Sequence, residues 1–347
     1  MDFIRDEIPL MASLSALRIR PKATLFIVSV CVIVSGISGW ISYYHARASL
    51  EDYTFRQLTS IQSAKTSQVS EYFALIEAQV RSLAKNPTTI AATAEFKRGF
   101  SELSRRSDER ASTPQSVARS ADLSAYYSND FLPALNEGFG TSSGIESVFP
   151  VAETARYLQY HYISNNHHPL GEKHQLEHAD DQSLYSRVHA QFHDVFKEYQ
   201  NEFGYYDIFL IDNRTGDIVY SVFKEVDFAT NLRSGPFRKS NLADAFDAAN
   251  ELTTAGEVAF IDFDYYRPSY GAPAAFVSTL VYDNEVPIGT LVFQFPVDKL
   301  NAIMTDDGMW REDGLGETGE TYLVGDDFSM RSVSRFLIED REGYFDA

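Results

Sequence analysis

Three residue patterns could carry chemistry. His174/His178 and His189/His193 stand four residues apart, the spacing at which two imidazoles on one helix face can hold a metal ion. Seven of the eight histidines fall between His161 and His193. No cysteine joins them and "HHPLG" reads as a loop, so histidines that pack or cap helices are the expected outcome and no metal ligand is assigned. Asp262 and Asp264, two residues apart, share one face of a strand, but no nucleophile with its base accompanies them, so they do not make an acid/base site. An exported enzyme would need the histidine segment and this carboxylate pair to converge on one cleft. Gly314-x-Gly316-x-x-Gly319 matches the glycine pattern that cradles a dinucleotide pyrophosphate, which works only after a strand and at the start of a helix. Here the polar run "TDDGMWREDG" precedes it, the strand-like "ETYLVG" follows, and Glu317 and Glu320 would repel phosphates. The glycines are read as a turn leading into a strand, and no catalytic residue or cofactor is expected.

The elements that must position any site begin in the membrane. Residues 23–44, "ATLFIVSVCVIVSGISGWISYY", carry no charge and are long enough to cross a ~30 Å hydrocarbon core as one helix. Arg18, Arg20 and Lys22 precede it, which places residues 1–22 in the cytoplasm and everything after Tyr44 outside the cell membrane, with Trp40, Tyr43 and Tyr44 as an outer aromatic belt. Ala46-Arg47-Ala48 resembles a signal-peptide cleavage site, but the apolar run exceeds the ~7–15 residues of a secretory core, which favours an uncleaved anchor. The only cysteine, Cys31, lies in this span, so the exported part is expected to hold together by its core and not by disulfides. The chain's 347 residues are 44% hydrophobic and 14% aromatic, ample for a packed core. Its formal charge of -19, from 49 acidic against 30 basic residues, argues against a nucleic-acid partner.

Beyond the membrane, Leu58, Ile61, Val69, Phe73, Ile76, Val80 and Leu83 recur at three- and four-residue steps over 45–87, interrupted by Lys65. This is one long amphipathic helix, whose stripe covers its own domain, joins two protomers, or does both. Residues 88–204 read as mainly helical. At Tyr205 the period becomes strand-like. "YYDIFLID", "DIVYSV", "VAFIDFDYY", "AAFVSTLVY" and "IGTLVFQF" are five antiparallel strands, with a helix at "NLADAFDAA" after the second and another at "PVDKLNAIM" closing the unit. The fold class is α+β: a transmembrane helix, a long juxtamembrane helix with a helical insert, and a PAS-like five-stranded sheet over 205–305.

"FGYYDIFLIDNRTGDIVYSVFKEVDFATNL" and "GLGETGETYLVGDDFSMRSVSRF" resemble the extracytoplasmic double Cache (dCache) sensor domains of bacterial transmembrane receptors, chiefly methyl-accepting chemotaxis proteins, and also of sensor kinases and membrane-bound cyclases. The resemblance implies a membrane-distal Cache module at 205–305 and, at 306–347, the start of a membrane-proximal one that the chain leaves incomplete, as in a truncated product. It implies a non-enzymatic sensor of a small molecule, a homodimer in the lipid bilayer, and an output domain of chemotaxis, histidine kinase or nucleotide cyclase type.

The family's ligand pocket lies between the sheet and the loop joining its third and fourth strands, here "DFDYYRPSYGAPAAF". This implies Asp262, Asp264, Tyr266, Arg267, Ser269 and Tyr270 as ligand-binding residues, the arginine fork suiting a carboxylate. Amino-acid-binding members carry an aspartate on the last strand where this chain has Gln294, and a neutral amide cannot pair with a ligand's ammonium. Gln294 therefore joins the candidates, and a carboxylate or neutral metabolite is slightly favoured over an amino acid.

Overall fold

The computed structural model describes residues 19–110, 112–139 and 143–346. The expected cytoplasmic segment, including Arg18, lies up to residue 18 outside the described residues. Two compact units divide at Ala64/Lys65. Helix α1 runs over Ile19–Ala84. In the first unit it contains a stretch long and apolar enough to cross a membrane, all of it exposed.

In the second unit Ile76, Val80 and Leu83 of α1 are buried, the lower part of the expected stripe. Lys65 interrupts that stripe for a reason. It is 6% exposed, and its Nζ lies 2.9 Å from Asp313 Oδ2 and 3.9 Å from Asp306 Oδ1. "KNP" ends α1 and starts α2 (Pro87–Arg110): the Asn86 side chain accepts the Thr88 N–H, and proline suits the first helical turn. Helices α3 (Pro114–Tyr126), α4 (Leu132–Phe139), α5 (Glu153–Gln159) and α6 (Leu184–Phe203) follow. Ser183 caps the start of α6 and Gly204, at φ +72°, ends it.

The expected fold class is met: five strands, β1 (Asp207–Ile211), β2 (Ile218–Ser221), β3 (Ala259–Tyr265), β4 (Pro273–Asp283) and β5 (Val286–Phe295), form one antiparallel sheet in the order β2-β1-β5-β4-β3. Helix α7 (Asn241–Glu251) lies between β2 and β3, and α8 (Val297–Thr305) follows β5. Both faces of the sheet are covered. Ile208, Leu210, Val277, Leu291 and Phe293 share a core with Val80, Phe96 and Phe196 of the long helices. Phe209, Phe276 and Val292 point the other way, toward Leu242 and Phe246 of α7. A third core joins Tyr127, Phe131 and Leu135 to Val226 and Phe237 of the connection between β2 and β3.

The glycine run is a set of turns, with Gly314 and Gly316 at φ +84° and +65°. The expected strand at "ETYLVG" does not form. Val324 makes only an isolated bridge to Met330, because a lone strand without sheet neighbours gains too few hydrogen bonds to persist.

The histidines resolve differently. His174 lies in a short 3-10 turn and stacks on Phe223 at 5.4 Å, while His178 is beside Asp180, so no helix face unites them. His189 and His193 stack at 4.2 Å in the core. His193 Nε2 donates to the His174 carbonyl (2.7 Å), which leaves Nδ1 to accept from the Tyr220 hydroxyl (2.7 Å). These partners require the neutral ring. Burial, helped by the nearby Lys224 charge, pushes the His193 pKa down to about 2. An unfolded chain takes up this proton below about pH 6.5 whereas the folded one resists, so stability falls with falling pH by up to ~1.4 kcal/mol per unit. Thermal unfolding between pH 7 and 4.5 should show His193→Gln with a shallower pH dependence than the parent; equal slopes would remove His193 as the source.

Candidate functional site

Residue Asp207 opens β1 and pairs across the ladder with Gln294 on β5. Strand alternation places both on the α7 face of the sheet, in line with Phe209 and Val292. Asp207 is fully buried. Its Oδ1 accepts the N–H groups of Ile208 (2.6 Å), Val222 (2.8 Å) and Phe223 (3.0 Å), which fixes the chain reversal after β2. That reversal, "SVFKEVDFATNL", carries Lys224, Glu225 and Asp227 inward, with Lys224 held at φ +65°.

A hydrogen-bonded chain links these groups to the connection between β3 and β4. Glu225 accepts from the Tyr206 hydroxyl (2.8 Å) and the Ser269 hydroxyl (2.6 Å), and Ser269 Oγ accepts from Gln294 Nε2 (3.1 Å). Asp227 accepts from the Tyr266 hydroxyl at 2.5 Å. The Lys224 ammonium donates to the Ser221 carbonyl and lies 4.4 Å from the Tyr220 ring centroid and 5.0 Å from that of Phe228.

The helical insert holds the acids in place. Gln159, fully buried at the end of α5, donates through Nε2 to the carbonyls of Val226 and Phe228, both 2.8 Å, and accepts from Tyr127 (2.7 Å). The backbone on either side of Asp227 is thereby fixed. Tyr127 and Tyr160 each begin a π-helical turn, at Tyr127–Phe131 and Tyr160–Ser164; such turns reposition side chains relative to a regular helix. Gly138 of α4 comes so close to the Tyr270 carbonyl that a Cβ would stand 2.4 Å from its oxygen.

Burial governs the electrostatics. It raises the Asp207 pKa to about 8, with Asp227 adding repulsion and the Phe223 N–H and Lys224 opposing. It raises Asp227 to about 6, partly offset by the Tyr266 hydroxyl, and pushes Glu225 well above the carboxylate range, again with repulsion from Asp227. Desolvation lowers Lys224 to about 7 against the pull of Asp207. Asp207 Oδ2, Asp227 Oδ1 and Gln294 Oε1 are buried acceptors that lack a hydrogen-bond partner among the described residues. Buried acceptors are ordinarily paired, so the cluster suits a ligand that brings donors and positive charge.

The seven residues singled out from the sequence divide. Tyr266, Ser269 and Gln294 meet in the cluster, and Tyr270 borders it, its ring 5.5 Å from Phe131. Asp262 and Asp264 are exposed on β3, with Asp262 paired to Arg331 at 2.9 Å. Arg267 leaves the cluster, its Nη2 donating to Ser147 Oγ at 2.8 Å. The buried histidines and the exposed Asp262/Asp264 pair do not form one cleft. Sequence reasoning missed Asp207, Lys224, Glu225, Asp227 and Gln159. One signal was present, an aspartate inside the apolar run "YYDIFLID", where strands disfavour it.

No protein-family model and no curated protein matches the chain. Solved structures do. The sensory domain of the Campylobacter jejuni chemoreceptor Tlp3 (CcmL) is 14% identical, over 71% of this chain and 74% of that one, with a TM-score of 0.28. The ligand-binding domain of C. jejuni chemoreceptor Tlp3 in complex with L-valine is 12% identical, over 74% and 79%, at 0.29. The V. cholerae histidine kinase DctB sensor domain is 13% identical, over 53% and 59%, at 0.26. These neighbours are Cache-type sensor domains, the class that the sequence resembles. Superposition is loose at these TM-scores, and the site stands on this chain's own residues.

The Gln159 clamp is open to a direct test. Gln159→Leu leaves the Phe228 carbonyl unpaired in the interior and the Val226 carbonyl with only the 3.4 Å bond from the Tyr127 hydroxyl, and should destabilise the fold by ~1–3 kcal/mol in denaturant unfolding. Tyr127→Phe, which removes the hydroxyl's own 3.4 Å bond to Val226 but leaves both bonds from Gln159 in place, should cost less; the reverse ranking would show that Gln159 does not hold the segment.

Proposed function

We propose that this chain is the ligand-sensing part of a single-pass receptor in a bacterial inner membrane, with residues after Tyr44 outside the cytoplasm. In this reading residues 205–305 are the sensing module and 88–204 its helical cover. The observation that carries it is the set of buried, unpartnered acceptors on Asp207, Asp227 and Gln294, next to a chain of hydroxyls at the end of a sheet. Helix α1 carries the apolar segment at one end and core residues Ile76, Val80 and Leu83 at the other, which suits a signal carried as a helix shift in a homodimer. A chemoreceptor of the methyl-accepting type is the first reading for the output; a histidine kinase or an adenylate or guanylate cyclase is the alternative.

The ligand proposed is a small organic cation bearing an amine. The sequence favours a carboxylate or neutral metabolite because of Arg267 and Gln294. That preference changes because Arg267 bonds Ser147 outside the cluster, while three buried carboxylates lie within it. A carboxylate ligand there would meet the Asp227 charge at low dielectric and would bring further acceptors to a cluster whose unpartnered atoms are acceptors.

Linkage fixes the pH dependence. Protons on Asp227 and Asp207 compete with a cation, so affinity should rise as pH increases through about 6 and 8, by up to ~10-fold per unit for each proton displaced. Calorimetric titration of the full chain in detergent micelles with diamines, choline and amino acids checks this. Asp227→Asn should weaken an amine about tenfold or more. An affinity that stays flat or falls between pH 5.5 and 8.5 would reject the cationic ligand.

A further inference from the structure

Arg267 sits outside the acidic cluster, on the wall of a separate cavity of about 470 Å³. One side is the short turn around Glu146 and Ser147, with Phe149. The other is the loop 234–240 that leads into α7. Arg238 and Lys239 of that loop line the cavity together with Arg267, against a single carboxylate, Glu146. The loop is held in shape by Asn231 Oδ1, which accepts the N–H groups of Arg233 and Ser234, both at 2.9 Å.

With 49 acidic residues against 30 basic, several cations are drawn into ion pairs, Lys97 with Asp212, Lys197 with Asp194, Arg331 with Asp262 and Asp327, whereas this cavity gathers three cations in its lining. Among the described residues no ion pair engages Arg267, Arg238 or Lys239. Arg267 is half-buried, aimed by the Ser147 hydroxyl, and burial lowers its pKa, so an anion that restores its lost solvation would be favoured. Phe149, Pro236 and Tyr265 add apolar wall.

We propose that this cavity is a second binding site, separate from the acidic cluster, for a small organic carboxylate. The Arg267 guanidinium takes the carboxylate through its planar fork. Arg238 and Lys239 supply the surrounding positive field, and the apolar body of the ligand lies on the aromatic wall. The site goes beyond the proposed sensing of a cation, since its charge is the opposite and its residues lie on the other side of the Tyr265–Arg267 segment from Asp227.

The test is calorimetric titration of the full chain in detergent micelles with succinate, benzoate and inorganic phosphate, alongside Arg267→Gln, the double variant Arg238→Gln/Lys239→Gln, and Asp227→Asn. The expected result is saturable one-to-one binding of a carboxylate, weakened about tenfold or more by either set of basic-residue changes and kept in Asp227→Asn. Arg238 and Lys239 are exposed, so the double variant reads binding even if Arg267→Gln disturbs the fold. Absence of saturable binding by both carboxylates overturns the site. Binding that survives both basic-residue changes but is lost in Asp227→Asn places the anion in the acidic cluster and overturns the separation. Phosphate binding as tightly as either carboxylate overturns the ligand class. Because the cluster and this cavity are tested by different variants, a failure of cation binding leaves this result readable.

Discussion

The structure depends on keeping three carboxylates and a lysine out of water. Moving an unpaired charge into a protein interior costs several kcal/mol even after relaxation, and Asp207, Lys224, Glu225 and Asp227 are all buried within one short reach of chain. The fold meets that cost in three ways. Backbone N–H groups converge on Asp207. Tyrosine and serine hydroxyls bond both oxygens of Glu225 and one oxygen of Asp227. Protonation shifts toward neutral forms, upward for the acids and downward for Lys224. Each device requires the segment after β2 to be held in one shape, which is the task of Gln159 and hence of the helical insert that carries it.

The two faces of the sheet separate a continuous apolar core from the buried polar cluster. On the helix side, Leu210, Leu291 and Phe293 pack with Val80, Phe96 and Phe196 in a continuous apolar core, and close packing of this kind resists deformation. On the α7 side the apolar contacts of Phe209, Phe276 and Val292 give way, at the ends of β1 and β5, to Asp207 and Gln294. A polar site at the end of strands whose other face is rigid can be held in register without depending on its own interactions. The acceptors it leaves unpaired are then a property that the rest of the fold can sustain.

Much of the sheet was legible in the sequence because its strands are local: alternation, turn residues and the two flanking helices each appear within a few residues of one another. Tyr266, Ser269 and Gln294 were singled out differently, through the resemblance to Cache sensor domains, which points to the loop between the third and fourth strands and to one position on the last strand. Lys224, Glu225 and Asp227 were not legible. In "SVFKEVDF" alternating charges look like a solvated face, and only the insert, 67 residues away at the Gln159 to Val226 bond, buries them. Arg267 shows the converse. Its neighbour Tyr266 points in and Ser269 points in, so the whole stretch reads as one site, yet the Arg267 guanidinium bonds Ser147, 120 residues away in the sequence and outside the cluster. The strand expected at "ETYLVG" failed because strand propensity is a statement about a pairing surface, and no neighbouring strand is there to supply one.

That alternation of direction along the chain between Tyr266 and Ser269 has a thermodynamic consequence. Tyr266 bonds Asp227 and Ser269 bonds Glu225 within the acidic cluster, while Arg267, between them, bonds Ser147 outside it. The peptide groups that connect them are short and stiff, so the proposed anion on Arg267 would act on the same backbone that sets the two inner hydroxyls. Coupling of this kind is reciprocal: by whatever factor an anion on Arg267 alters the affinity of the inner site, a cation in the inner site alters the anion's affinity by the same factor. If both proposed sites are occupied, the single stretch of backbone between Tyr266 and Ser269 is the route by which one occupant would alter the affinity for the other.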